Sequence, residues 1–223
     1  MVNNKRIIIS MTSWTKRIGN VSKVIISLLN QTVKADSIEL NLSLEEFTNK
    51  EKDLPEDLLL LINDNKVIIN WVEHNTGVFK KAIPVLRKYF GEDYYLLTVD
   101  DDCLYNSNYI ETMIKQLDDY DYYCLLDNKL VIGYCMIFRS TCFETDYFNL
   151  ITDKLITIGI NDYFIDQYLI KKHKKHSLNN SFEKETFITM YNEIYPNSIT
   201  GKYDIKRIND CIYETQRILK DVK

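Results

Sequence analysis

The chain has 223 residues, 45% of them hydrophobic, which suits one large globular domain with a sizeable core. Its 32 acidic and 28 basic residues leave a formal charge of -4 with no long basic run, so a nucleic-acid backbone is excluded as the default partner.

In chain order, residues 5–10 read as a buried strand, and residues 21–31 as a helix with Val21, Val24, Ile25, Leu28 and Leu29 on one face. Residues 37–44 alternate like a strand, 54–63 form a short helix opened by Pro55, and 66–72 form a third strand. Residues 77–90 are helical in pattern, 94–99 make a fourth strand, and 106–117 return to helix. This αβ alternation predicts a doubly wound, mainly parallel sheet flanked by helices. After Asp118 the pattern becomes strand-like over 121–126 and 130–139, with Asp127-Asn128-Lys129 as the turn of a hairpin. Beyond Phe143 it is helical in pieces, over 162–172, 182–194 and 204–219. With no low-complexity linker, the expectation is a single α/β domain over 1–223. Its nucleotide-binding half would span 1–105, and a more helical acceptor-side half 106–223.

The most informative segment is Asp100-Asp101-Asp102, placed directly after the apolar strand 94–99. Three carboxylates there repel one another and require a cation, a protonation shift or open solvent. In an extended chain Asp100 and Asp102 would share one side, giving an Asp-x-Asp pair able to hold one ion. Oxygen ligands favour a hard ion, Mg2+ or Mn2+. Ligands of open α/β sheets bind beyond the carboxyl ends of the strands. The loops expected there carry Ser10 to Arg17, His74 to Gly77, and the aspartates. Hydroxyls and backbone amides of the first loop suit a nucleobase, and Arg17 or Lys81 a diphosphate. Ser and Thr at that position would equally cap the next helix.

Taken together, Ile7-Ile8-Ile9-Ser10-Met11-Thr12-Ser13, Ser27-Leu28-Leu29-Asn30-Gln31-Thr32, Lys80-Lys81-Ala82-Ile83-Pro84 and Thr98-Val99-Asp100-Asp101-Asp102 with Tyr105 resemble a GT-A-fold glycosyltransferase. The chain is similar to the bacterial family-2-like enzymes that build surface polysaccharides. The resemblance implies that Thr12, Ser13 and Arg17 hold the nucleobase. It places Asp100 and Asp101 beside the nucleotide sugar, Asp100 and Asp102 on Mn2+ or Mg2+, and Lys81 on the diphosphate or bracing the aspartates. It implies that residues 133–138 floor the donor-sugar site, and that Asp162, after Asn161 where relatives carry a second acid, is the general base. A C-terminal histidine completing the metal site would be His173, with His176 as the other choice. The partners implied are a nucleotide-diphosphate sugar and a glycan or lipid-linked acceptor.

The bland readings make Asp162 a helix cap, Trp71 a core residue, and the lysines and histidines of 171–176 a solvated helix end rather than a phosphate or anionic-lipid site. Five scattered cysteines, Cys103, Cys124, Cys135, Cys142 and Cys211, have no Cys-x-x-Cys spacing. They argue against a zinc knuckle or disulfide framework and fit a reducing cytoplasm. No window approaches the roughly 20 apolar residues of a membrane span, so any membrane contact is expected to be peripheral. Two rivals remain: a nucleotidyltransferase, although the first loop has Gly19 as its one glycine, and a non-catalytic nucleotide-, sugar- or calcium-binding protein. As an EF-hand loop from Asp100, however, the segment has Tyr105 where the tight turn needs glycine.

Overall fold

The computed structural model describes residues 5–117, 119–124, 135–177, 188–190 and 205–222. Strand β1 (Arg6–Thr12) is central because its side chains are apolar on both faces. Ile7, Ile9 and Met11 enter one core and Ile8 the other. β4 (Tyr94–Val99) divides likewise, Tyr95, Leu97 and Val99 facing one way and Tyr94 and Leu96 the other. Burial on both faces explains why these strands read as unbroken apolar runs rather than alternating ones.

β2 (Ser37–Ser43) and β3 (Ile68–Val72) extend the sheet on one side of β1, all parallel. On the far side of β4, β7 (Cys135–Arg139) and β6 (Tyr122–Cys124) add antiparallel pairings, giving the order β3-β2-β1-β4-β7-β6. The antiparallel pairing agrees with the predicted hairpin, whose turn lies outside the described residues. Helices α1 (Val21–Leu29), α2 (Glu56–Asn63) and α4 (Tyr109–Leu117) cover one face. The other carries α3 (Ile83–Lys88), α5 (Asp153–Ile158), α6 (Asn161–Lys171) and the end of α7 (Ile205–Leu219). Trp71 is half-buried, packing against the first core while its indole N–H donates to Glu51.

Two predicted elements differ. The helix expected over 77–90 is a 3-10 turn, Gly77–Lys81, followed by α3, with Pro84 in the first turn of α3. Within the 3-10 turn the consecutive Lys80 and Lys81 point different ways, to Glu46 and to Asp100. Of the helix expected over 182–194, Ile188–Met190 is instead strand β8, antiparallel to β5 (Cys103–Tyr105); the remainder lies outside the described residues. A short apolar stretch with β-branched Ile188 and Thr189 does not distinguish helix from strand by periodicity, and the backbone of β5 supplies the partner that decides it.

Between β1 and β4 the strand order reverses. β1 leads to β2 on one side, β4 lies on the other, and the carboxyl ends of both open into one crevice. The register Ser10↔Thr98 sets the loop after Thr12 beside the aspartates after Val99, although they are some 85 residues apart in sequence. The end of α1 secures the following turn. Ser27 Oγ accepts from the Tyr105 amide at 3.2 Å. Gln31 donates to the Asn106 carbonyl at 2.8 Å and accepts from the Ile110 amide at 3.1 Å.

Gln31 is 2% exposed, so Gln31→Ala removes the side-chain acceptor of the Ile110 amide and one of the donors to the Asn106 carbonyl, which keeps the Tyr109 amide. We expect a loss of about 2–4 kcal/mol in urea unfolding. A loss under ~1 kcal/mol would mean that this tie does not hold the turn.

Candidate functional site

β4 ends at Val99, and Asp101 and Asp102 form a turn rather than continuing extended. Oxygens of Asp100 and Asp102 still converge, lying with Cys103 Sγ all within 4.8 Å of one another. The pair expected from the sequence is therefore present, brought together by a turn and not by strand alternation. Tyr105 returns under the turn, its hydroxyl oxygen accepting from the Asp100 amide at 2.8 Å.

The three carboxylates are met by cations from two other elements. Arg17, in the loop after β1, reaches Asp102 Oδ2 with Nη1 at 2.7 Å and Asp101 Oδ1 with Nη2 at 3.0 Å. Ser13 donates its hydroxyl to Asp101 Oδ2 at 2.6 Å. Lys81, at the end of the 3-10 turn before α3, pairs with Asp100 Oδ1. Burial pulls the Lys81 ammonium toward neutrality, but Asp100, Asp162 and Asp102 more than offset it and raise its pKa. Asp162 thus lies within electrostatic range of Lys81, the fourth carboxylate in a region with two cations. Burial pushes the Asp100 carboxyl above its ordinary value against the pull of Lys81, and the Asp101 carboxyl up to about 6 against Arg17 and Ser13.

Asp162 is buried in the first turn of α6 and is not its cap, since that position belongs to Ile160, which offers no side-chain hydrogen bond. A carboxylate there is favoured by the helix dipole. Asn161 beside it is 3% exposed, and its Nδ2 has no hydrogen-bond partner among the described residues.

A cleft of about 200 Å³ adjoins the aspartates. It is lined by Thr12, Ser13, Trp14 and Arg17 from the first loop, Asn75, Gly77 and Val78 from the loop after β3, and Glu46 and Lys80. Thr12 donates its hydroxyl to the Asn41 carbonyl at 2.8 Å, which fastens the end of β1 to β2. Lys80 spans the cleft wall to Glu46 Oε2 at 2.8 Å and to Asn75 Oδ1. Gly77 adopts φ +56, the left-handed region where a side chain is strained, and its amide donates to Asn75 Oδ1 at 3.0 Å. Glu46, Asn75 and Lys80 were not among the predicted site residues. Asn75 lay in a loop expected at the site and Lys80 beside Lys81, whereas nothing in the sequence singled out Glu46.

The structure brings together Thr12, Ser13, Arg17, Lys81, Asp100, Asp101, Asp102 and Asp162. It does not bring His173 there. That residue stands exposed in a left-handed turn, φ 56, past the far end of α6, about 16 Å of helix from Asp162. His176 lies with Cys124 and Asp166 instead. Of the basic run, Lys172 pairs with Glu144 and Asp146 at 2.9 and 2.7 Å. Residues 133 and 134, expected at the donor floor, lie outside the described residues, while Met136, Ile137 and Phe138 are buried in β7.

A parallel α/β sheet with an antiparallel far edge, carrying an aspartate pair at its switch point, is a GT-A-like fold, the fold of nucleotide-sugar-dependent glycosyltransferases. Structures of known proteins agree. S. aureus TarS 1-349 in complex with UDP matches with a TM-score of 0.55 and 12% identity over 96% of this chain and 64% of that one. The same protein in complex with UDP-GlcNAc matches at 0.53 and 12%, over 96% and 65%. The mannosyltransferase PcManGT from Pyrobaculum calidifontis, in complex with GDP-Man and Mn2+, matches at 0.56 and 12%, over 78% and 54%. The chain thus spans a little over half to two thirds of these structures. No protein-family model and no curated protein matches the sequence.

The Asp101 carboxyl, at about 6 when folded against 3.8 ordinarily, gives a signed pH effect. Below pH ~4 it is protonated in both states. As pH rises through about 6 the unfolded chain has already ionised, and stability is withdrawn, on the order of 3 kcal/mol in full. With chelator present, the melting temperature of the wild type minus that of Asp101→Asn should fall between pH 4 and 7. A flat or rising difference contradicts the burial of this carboxyl.

Proposed function

We propose that this chain is a metal-dependent glycosyltransferase that moves a sugar from a nucleotide-diphosphate donor to a glycan or lipid-linked acceptor. The observation that carries the reading is the convergence of Asp100 and Asp102 oxygens at the switch point of a fold whose solved examples hold UDP, UDP-GlcNAc, and GDP-Man with Mn2+. The donor set fits a hard divalent ion. Two carboxylates supply oxygen ligands, and four carboxylates against two cations leave an excess of negative charge for Mn2+ or Mg2+ to neutralise. The neighbouring Cys103 thiol is a poor ligand for such ions. When bound, the ion would act as a Lewis acid toward the charge growing on the departing diphosphate.

The chain's own residues would do the rest. Trp14, Asn75, Lys80 and Glu46 line the cleft proposed for the nucleobase, and Arg17 stands where cleft and aspartates meet. Lys81 pairs with Asp100, pulling against the burial that raises its carboxyl, and is the cation a diphosphate would face. Asp162 is the proposed general base, taking the proton from the acceptor hydroxyl as it attacks opposite the leaving group, with inversion at the anomeric carbon. Residues 106–223 form the acceptor side in this reading. The setting is bacterial surface polysaccharide synthesis, in the cytoplasm or at the inner face of the membrane. No helix among the described residues is long and apolar enough to cross a membrane.

The test separates binding from chemistry. Nucleotide sugars with Mn2+ should raise the wild-type melting temperature, by about 2.7 kcal/mol of stability at 100 times the dissociation constant, and EDTA should abolish the shift. Asp102→Asn is expected to lose the metal-dependent shift. Asp162→Asn should keep it while transfer falls by about 10²–10⁴-fold. The opposite pattern would reverse the two assignments, and nucleotide binding without transfer by the wild type would favour a non-catalytic binding protein.

A further inference from the structure

A second group of metal-binding side chains lies away from the aspartates: Cys124 at the end of β6, Asp166 in the second turn of α6, and His176 in the segment that follows that helix. Their ligand atoms lie within 4.8 Å of one another, and Cys124 Sγ is 3.4 Å from His176 Nε2. A tetrahedral zinc ion holding a thiolate at about 2.3 Å and an imidazole at about 2.0 Å sets those atoms about 3.5 Å apart. The two ligands therefore already stand at the separation such an ion requires.

Asp166 supplies an independent observation. Its carboxylate is 4% exposed and makes no ion pair with lysine or arginine among the described residues. Buried charges are ordinarily paired or bound to metal. The carboxylate is nevertheless oriented, since the Tyr122 hydroxyl donates to Oδ1 at 3.0 Å and Gln167 Nε2 to Oδ2 at 3.1 Å. Outer hydrogen bonds of this kind are what fix the ligands of metal centres. His176 is oriented too, its ring stacked on Tyr122 with centroids 4.6 Å apart and planes 8° from parallel, and its backbone bridged to Tyr122.

We infer that Cys124, Asp166 and His176 bind one borderline-soft divalent cation of the zinc type, with a fourth position for water or another ligand. Binding releases the thiol proton to solvent and leaves a thiolate on the metal. The mixed sulfur, nitrogen and oxygen set selects against Mg2+ and Mn2+, which favour oxygen ligands. Cys124 pairs with Met136 and Met136 with Thr98, so the ion sits two strands, about 10 Å, from β4. It ties the edge strand β6 to α6, the helix whose first turn carries Asp162. The inference does not depend on the sugar-transfer reading.

Titrating the metal-stripped whole protein with Co2+ tests it. One equivalent should give a near-ultraviolet thiolate-to-cobalt absorption that Zn2+ displaces and excess Mg2+ does not. The band should survive in Asp102→Asn and Cys103→Ser and vanish in Cys124→Ser and His176→Gln. Tyr122→Phe, which keeps every ligand, should weaken affinity about 10–100-fold. No band in the wild type, a band that persists in Cys124→Ser, or one that disappears in Cys103→Ser would each overturn the inference. The wild-type measurement decides even if a variant does not fold.

Discussion

Everything at the switch point answers to one electrostatic constraint: more carboxylate than cation is buried at the end of an apolar strand. Arg17 pairs with Asp101 and Asp102, Lys81 with Asp100, and Asp162 adds a fourth carboxylate within electrostatic range of Lys81. A buried charge without a partner is expensive, so each cation is as much a requirement of the fold as of any ligand. Arg17 is held 12% exposed by two carboxylates, and Lys81 is turned inward at the end of its 3-10 turn. Burial first, and then the neighbouring carboxylates, keep the Asp100 and Asp101 carboxyls raised against the pull of Lys81 and Arg17.

That arrangement is fixed by backbone. The parallel register of β1 with β4 brings two loops distant in sequence side by side, and Ser27, Gln31 and Tyr105 hold the turn from beneath. The segment 27–32 carries part of the family resemblance, and its role in the structure is support: Gln31 accepts from the Ile110 amide and donates to the Asn106 carbonyl at the turn into α4. β8 arrives from far along the chain to pair with β5, so the element next to the aspartates is braced from both ends of the sequence.

The parallel half was legible because period and composition agree there. Isoleucine runs, a Pro at a helix start and a regular αβ rhythm admit few alternatives. The aspartates were legible because three adjacent carboxylates have few physical solutions. What escaped was whatever depends on contacts made by other elements. Pro84 breaks a helical pattern that hydrophobic spacing alone extends through residue 90, and β8 is a strand only because β5 presents an edge. His173 had the right residue type, but a helix of 11 residues lies between Asp162 and the turn that carries it. Cys124, Asp166 and His176 come from three segments with no common spacing, so no motif could have joined them.

Arg17 touches both parts of the crevice, the carboxylates through its guanidinium and the cleft as part of its wall. A single cation serving two neighbours makes them thermodynamically interdependent. Any positive charge that relieves Asp101 and Asp102 weakens their hold on Arg17 and leaves it more available to an anion in the cleft. By reciprocity, an anion that draws Arg17 away increases the affinity of the aspartates for a positive ion by the same factor. Were a cation and an anion both to bind, their occupancy of the two halves would be cooperative, whichever arrived first.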